Sequence, residues 1–160
     1  MKQMIVSIRP STPDDVNFIV ELETSSENAA YVSQWKASEH KAAIESAAYG
    51  HWIVATSDRR VGYIVCDDLR SNGRGYYVRR MVVVEKNKKY GREALGRLVD
   101  YARNELGANL IWLSVAKSNT RAQRSYLSQG FVFGNSTYGE DWHSAVGGSS
   151  ESNLLMVKPL

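Results

Sequence analysis

The feature that most constrains this chain is a strand, a basic turn and a helix that follow one another between Tyr76 and Ala102. Tyr76–Val84 is rich in β-branched and aromatic residues, which favour a strand. From Gly91 onward, apolar residues recur at helical spacing, which predicts a helix to Ala102. These apolar positions are Ala94, Leu95, Leu98, Val99 and Ala102. A helix that begins directly after a turn presents backbone N–H groups and the positive end of its dipole there, which predicts a phosphate site.

The turn between this strand and this helix is strongly basic. Its cationic side chains are Lys86, Lys88, Lys89 and Arg92. They add positive charge at the predicted phosphate site. The alternative interpretation is an ordinary turn with solvated lysines, which would be preferred if the turn stood alone. A second stretch, described below, favours the phosphate site.

Length and composition limit the classes of protein that fit. The 160 residues predict one domain over 1–160, and 43% hydrophobic with 23% charged residues is ordinary for a globular protein. The net charge of +3 suits an anionic ligand but not by itself a nucleic-acid binder. No apolar run approaches membrane-spanning length and no signal-peptide pattern is present, so a cytoplasmic location is expected.

The single cysteine gives no hint of redox or metal chemistry. Cys66 lies in the apolar run VGYIVCD, where a buried thiol is expected rather than a nucleophile. The sequence has no C-x-x-C pair and no clustered His and Cys residues, so no metal site is predicted.

Hydrophobic patterning predicts a mixed fold of class α/β (α+β). Strands are expected at Met4–Arg9, Trp52–Thr56, Val61–Asp67, Tyr76–Val84, Leu110–Val115, Phe131–Phe133 and Leu154–Lys158. Helices are expected at Thr12–Thr24, Ala37–Tyr49, Gly91–Ala102 and Thr120–Gln129. The Trp52, Val61 and Tyr76 strands should form an antiparallel meander. The Leu110 strand is almost wholly apolar and follows a helical crossover, so it should lie parallel to the Tyr76 strand.

A second informative stretch runs from Ser114 to Phe131, SVAKSNTRAQRSYLSQGF. Asn119 follows a buried strand and begins a helix, and Asn119, Ala122 and Tyr126 project on nearby faces of that helix. Taken alone, Asn119 is a helix cap and Tyr126 a core aromatic with a hydrated hydroxyl. Together with the first stretch, they make a more specific pattern.

The whole pattern resembles a GNAT-superfamily N-acetyltransferase, and it is most similar to the ribosomal-protein N-terminal acetyltransferase type. The resemblance covers nearly the whole chain. The matching pieces are Ile8-Arg9-Pro10 with Asp14-Asp15, the RRMVV strand, the YGREAL helix start and the Asn119 to Phe131 segment that ends in Gly130-Phe131. The family fold is a mixed, mostly antiparallel sheet with two splayed parallel strands, flanked by helices.

The resemblance implies an acetyl-CoA site and no metal. In the family, acyl-CoA binds where two parallel strands splay apart, here the Tyr76 and Leu110 strands. The implied cofactor contacts are Met81, Val82, Val83, Lys86, Asn87, Lys88, Lys89, Tyr90, Gly91, Arg92, Asn119, Ala122 and Tyr126. The strand backbone would pair with pantetheine, the turn would bind pyrophosphate, and Asn119 would hold the pantetheine or ADP side. Tyr126 would point at the thioester sulfur as the catalytic acid.

The chain departs from the family pattern at the turn and at the base. Lys89 replaces a glycine, and Asn87 stands where close relatives often have another, so a reshaped turn is expected. Many relatives carry a glutamate on the first parallel strand, whereas this strand holds no carboxylate before Glu85. The general base is therefore unassigned.

The groups themselves suit direct acetyl transfer to a primary amine, either a protein N-terminus or a small amine. An α-amine has a pKa of ~7.7–8.0 against ~10.4 for lysine, so it needs less help from a base. Acidic and aromatic candidates for the acceptor site are Glu21, Glu23, Glu27, Tyr31, Trp35, Glu39, Glu140, Asp141, Trp142 and His143. His40 and His143 are weak candidates for the base, and His51 is expected to be structural.

Two other functions stay open at this point. The missing strand carboxylate and Lys89 would also fit a module that binds or senses acyl-CoA without turnover. The basic turn with Arg79 and Arg80 would fit a small nucleic-acid-binding domain, although the chain lacks a high net charge and interleaved aromatics. No membrane partner is expected, and the sequence leaves a homodimer open.

Overall fold

A computed structural model describes residues 5–25, 35–85, 89–134, 142 and 153–160. The chain forms two compact units. The first comprises Met1–Asp68 with Arg79–Leu98, and the second comprises Leu69–Val78 with Val99–Leu160. The expectation of one domain over the whole length stays a prediction.

Seven strands and four α-helices make up the described fold. The strands are β1 (Ser7–Pro10), β2 (Tyr49–Ala55), β3 (Arg60–Asp68), β4 (Tyr76–Val83), β5 (Leu110–Ala116), β6 (Val132–Phe133) and β7 (Asn153–Pro159). The helices are α1 (Val16–Thr24), α2 (Ala37–Glu45), α3 (Tyr90–Asn104) and α4 (Thr120–Ser128). The strand order is β1-β2-β3-β4-β5-β7-β6. The sheet is mostly antiparallel with β4 and β5 parallel, which confirms the predicted fold class.

The first unit has its core between α1 and the sheet. β1 pairs with β2 and β2 with β3, both antiparallel. A 3₁₀ turn at Pro13–Asp15 leads into α1, and Asp15 accepts hydrogen bonds from Arg9 at 2.8 and 2.9 Å. The core residues of this unit are Ile19, Leu22, Ile53, Tyr63, Val65 and Val82. This arrangement places one face of β4 against the end of α1.

The largest error in the predicted boundaries lies between α2 and β2. The helix ends at Glu45, not at Tyr49, and β2 begins at Tyr49, not at Trp52. Tyr49 is opposite Asp67 in the antiparallel register, and Asp68 N donates to Ala48 O at 2.9 Å. The apolar residues of this stretch fit the period of a helix as well as that of a strand. The stretch becomes a strand because pairing with β3 satisfies its backbone N–H and C=O groups.

The second unit is built around β5. Tyr76–Val78 pairs in parallel with Ile111–Leu113, and β7 pairs antiparallel along all of β5. Its core residues are Tyr77, Leu110, Trp112, Leu155 and Val157. The end of α4 also follows the prediction, because Gly130 has a φ of 92° directly after the C-cap residue Gln129.

Candidate functional site

Successive side chains of β4 point to opposite faces of the sheet. A Cβ built on Gly91 would lie 3.5 Å from Met81 Cε and 3.8 Å from Val83 Cγ2, so Met81 and Val83 face the start of α3. Val82 belongs instead to the core that contains Ile19 and Leu22 of α1. The two predicted features, the strand and the helix start, therefore pack directly on each other.

The turn between β4 and α3 keeps a left-handed backbone without glycine. Lys89 has a φ of 63° and Glu85 a φ of 49°. Lys89 O accepts the helical hydrogen bond from Glu93 N at 3.1 Å, so α3 begins immediately after it. Lys89 thus adopts the conformation that the family glycine would supply, and the expected reshaping is not seen at this residue.

The other residues predicted for the turn differ in exposure. Tyr90 is buried, Gly91 is half-buried and Arg92 is exposed. Lys86, Asn87 and Lys88 lie outside the described residues. The N–H groups of the first helical turn have no carbonyl partner within the helix and lie at its positive end. A phosphate group is the natural partner for such a helix start.

In the second unit, Asn119 is the N-cap of α4. Its Oδ1 accepts a 3.1 Å hydrogen bond from Ala122 N, which satisfies one donor of the first turn. Gln123 Nε2 donates to Ala116 O and Lys117 O at 3.1 and 3.0 Å, which ties α4 to the end of β5. The capping role that the sequence suggested for Asn119 is confirmed, and α4 is held firmly in place.

Tyr126 lies on α4 with a half-buried side chain. Its ring centroid is 5.9 Å from that of Phe131, and its carbonyl accepts the Phe131 N–H at 3.0 Å. Burial raises the pKa of the Tyr126 hydroxyl, so it stays protonated at neutral pH. A hydroxyl in that state can donate a proton.

A buried polar cluster in the first unit was not foreseen from the sequence. Glu23 of α1 has no exposed surface, whereas the sequence placed it among the acidic residues available to an acceptor amine. Glu23 Oε1 accepts hydrogen bonds from Tyr63 Oη at 2.5 Å and from Arg80 Nη1 at 2.8 Å, and it lies 2.9 Å from His40 Nε2. The signal was present in the spacing, because Glu23 follows Val16 and Ile19 on the buried face of α1.

Two histidines extend the cluster towards β1. His40 Nδ1 lies 3.0 Å from His51 Nε2, and His51 Nδ1 lies 2.8 Å from Ser11 Oγ. A carboxylate only accepts, so His40 must donate through Nε2, and His51 then donates to His40 Nδ1. His51 is thus structural, as expected from the sequence, and His40 is enclosed rather than exposed as a base.

Burial and partners fix the ionisation of the cluster. Burial opposes ionisation of Glu23, but the bonds from His40 and Tyr63 and the charge of Arg80 outweigh it and hold its pKa below the usual range. Burial and the Glu23 carboxylate raise the pKa of Tyr63. Burial lowers the pKa of His51 to about 4. At neutral pH the cluster therefore contains one carboxylate paired with the guanidinium of Arg80.

A model of the acetyltransferase (GNAT) family matches residues 16–131, which include β4, the basic turn, α3 and all of α4. The chain belongs to the GNAT acetyltransferase family. This confirms the predictions of family, of an acetyltransferase and of acetyl-CoA as the acyl donor. The comparison with curated protein sequences gave no significant match.

Solved GNAT structures share the whole fold at low identity. A Vibrio cholerae spermidine N-acetyltransferase in complex with CoA and spermine is 17% identical with a TM-score of 0.77, over 96% of this chain and 95% of that one. A ribosomal-protein alanine N-acetyltransferase from Escherichia coli is also 17% identical, with a TM-score of 0.72 over 97% and 94%. Both act on amines, which agrees with the predicted reaction class, but at this identity the likeness establishes the fold alone.

The residues that the structure describes give no sign of a metal centre or of a membrane-spanning helix. Within them, His, Cys, Asp and Glu side chains form no group of three or more that could hold a metal ion. None of the described helices is long and apolar enough to cross a membrane.

Proposed function

We propose that this GNAT protein transfers the acetyl group of acetyl-CoA directly to a primary amine, either a protein N-terminus or a small amine, within the cytoplasm. The observation that carries the proposal is the left-handed backbone of Lys89 at the start of α3. The first turn of that helix packs against β4 through Gly91. This geometry presents first-turn N–H groups where a phosphate would bind, and adds a lysine charge. The backbone of Met81–Val83 would pair with the pantetheine arm.

The chemistry requires one proton to leave the amine before attack. The nitrogen then bonds to the thioester carbonyl, and backbone N–H groups of β4 stabilise the oxyanion. The C–S bond breaks, Tyr126 donates its proton to the thiolate, and the second amine proton restores the tyrosine through solvent. An unperturbed thiol and an unperturbed tyrosine have pKa values of ~8.5 and ~10, and the raised pKa of Tyr126 keeps its proton in place until the thiolate forms beside it. No covalent enzyme intermediate is required.

The experiment that tests the proposal pairs calorimetry with turnover. Acetyl-CoA should bind, and binding should weaken as salt increases, because charged contacts to phosphate are screened. CoA release should then accompany acetylation of at least one amine in a panel of polyamines, amino acids and peptides. Lack of acetyl-CoA binding at millimolar concentration would exclude the proposal.

A non-catalytic acyl-CoA-binding module is the second candidate. It is favoured by β4, which carries no carboxylate, and by Glu23, whose Oε1 is already shared by Arg80, Tyr63 and His40. Tight acetyl-CoA binding without CoA release over the whole amine panel would support this second function.

A further inference from the structure

Arg80 of β4 lies between a buried carboxylate and an aromatic ring. Its Nη1 donates to Glu23 Oε1 at 2.8 Å, and its Cζ lies 5.1 Å from the centroid of the Trp35 ring. Tyr63 Oη donates to the same carboxylate oxygen, and Trp35 N donates to Glu23 Oε2 at 3.3 Å. Carboxylates and aromatic faces are both groups with which proteins bind ammonium ions.

The carboxylate and the ring are both held in place by further contacts. Trp35 packs on His40 at 5.2 Å and edge-on to Tyr49 at 6.1 Å, which fixes the orientation of its ring. Glu23 has no exposed surface and Arg80 only 9% of its side chain. The side chain of Arg80 thus fills a built site that its neighbours would offer to any cation of similar size.

We propose that Arg80 occupies this cation site in place of a substrate ammonium, and thereby restricts the acceptor to amines with a single positive charge. This inference rests on the proposed function and narrows its substrate class. A second ammonium on the acceptor would meet the guanidinium instead of the Glu23 carboxylate, which favours the α-amine of a peptide over a polyamine.

The titratable groups next to Arg80 leave Glu23 as its negatively charged partner. Glu23 is the carboxylate that pairs with it, Tyr63 stays protonated, and His51 stays neutral at neutral pH. His40 donates to Glu23 and adds no acceptor. Removing the guanidinium would therefore leave the buried Glu23 carboxylate without its cation, which is energetically costly, and would leave the face of the Trp35 ring uncovered.

Arg79 supplies a matched control on the same strand. Its side chain leaves the opposite face of β4 and donates to both oxygens of Asp67, each at 2.7 Å. Arg79→Met removes an ion-paired arginine from the neighbouring position but leaves the Arg80–Glu23 pair intact.

The test compares acetylation of spermidine with that of a peptide that has an N-terminal alanine and no other amine. The measured quantity is the ratio of the two kcat/KM values at saturating acetyl-CoA. Wild type should prefer the peptide, Arg80→Met should shift the ratio towards spermidine by about tenfold or more, and Arg80→Lys should keep the wild-type ratio. Arg79→Met should change the ratio by less than about threefold. An unchanged ratio in Arg80→Met, or a wild type that prefers spermidine, would overturn the inference.

Binding gives a second measurement that needs no turnover. Ethylguanidinium, added to Arg80→Met, should raise its unfolding temperature or restore a cooperative transition if the variant is unfolded, and should have no such effect on wild type or Arg79→Met. Adding Glu23→Gln to Arg80→Met should abolish this stabilisation, because the carboxylate is lost. If Arg80→Met shows no stabilisation by the cation, the cation-site inference is wrong, even if wild type acetylates amines. If wild type transfers acetyl to no amine, the proposed function fails separately.

Discussion

The backbone of Lys89 has a conformation that is energetically unfavourable for a residue with a side chain. Lys89 is in the left-handed region, where a side chain with a Cβ costs on the order of 1 kcal/mol relative to glycine. The backbone at this position is therefore set by the turn and not by the residue that fills it. The identity of the strained position was predictable from the family pattern, but its conformation was not, because propensity alone argues against a left-handed lysine.

Lys89→Gly separates conformation from charge. Glycine relieves the strain, so the free energy of unfolding should rise by about 1 kcal/mol in urea titrations. The affinity for acetyl-CoA should change by less than tenfold, about 1.4 kcal/mol, because the lost charge is offset by easier backbone approach. Lys89→Ala is the control, since it removes the charge and keeps the strain. A hundredfold loss of affinity in Lys89→Gly would mean that the lysine is itself a main phosphate ligand.

Tyr126→Phe tests the predicted general acid. The ring and its contact with Phe131 are kept, so stability should change by only about 1 kcal/mol and acetyl-CoA binding should change little. The rate constant for acetyl transfer should fall by about 10²–10⁴-fold, the usual range for a lost acid–base group. The loss should be smaller with an acyl donor whose thiol has a lower pKa. If Tyr126→Phe keeps near-full turnover with acetyl-CoA, Tyr126 is not the general acid and serves only in packing.

At the level of elements, most of the fold follows from local patterns. The α3 residues predicted to be buried, from Ala94 to Ala102, are indeed buried, because a long amphipathic helix has only one face to bury. The α2–β2 boundary was placed wrongly, because Tyr49 and Gly50 owe their strand state to pairing with Asp67 and Cys66. Such pairing partners lie far away in sequence and leave no local signal.

Replacing glycine by alanine should have opposite effects on stability at two positions, Gly62 and Gly96. A Cβ on Gly62 of β3 would lie 2.4 Å from Val82 O and 2.8 Å from Val83 Cγ1, so Gly62→Ala should force β3 and β4 apart and lower stability by about 2–4 kcal/mol. Gly96 is exposed on α3 with nothing within 4 Å of such a Cβ. Gly96→Ala should raise stability by about 1 kcal/mol through helix propensity. Urea midpoints that move in the same direction for both variants would contradict the close approach of β4 to Gly62 and the open surface at Gly96.

For the whole molecule, the buried cluster decides how folding responds to acid. Glu23, His40 and His51 come from α1, α2 and β2 and meet only in the folded chain. The sequence indicated the buried face of α1 but could not show that two histidines and a carboxylate share one core. Their contacts join residues that are 11 and 17 positions apart in the sequence, and side-chain hydrogen bonds of this kind follow no periodicity.

Stability should fall as the pH drops from about 6.5 to about 4. His51 is neutral in the folded protein because burial lowers its pKa from 6.5 to about 4, so in this window the unfolded chain binds a proton that the folded chain does not. The free energy of unfolding therefore rises with pH across the window, and His51 contributes about 3 kcal/mol of that change. Urea unfolding at pH 7, 6, 5 and 4.5 measures it. His51→Gln keeps a donor towards His40 but cannot titrate, so its stability should be lower at pH 7 and depend less steeply on pH. A wild-type midpoint that stays constant from pH 7 to 4.5 would show that the histidine is free to take up its proton in the folded state, and the buried chain from Ser11 to Glu23 would then be wrong.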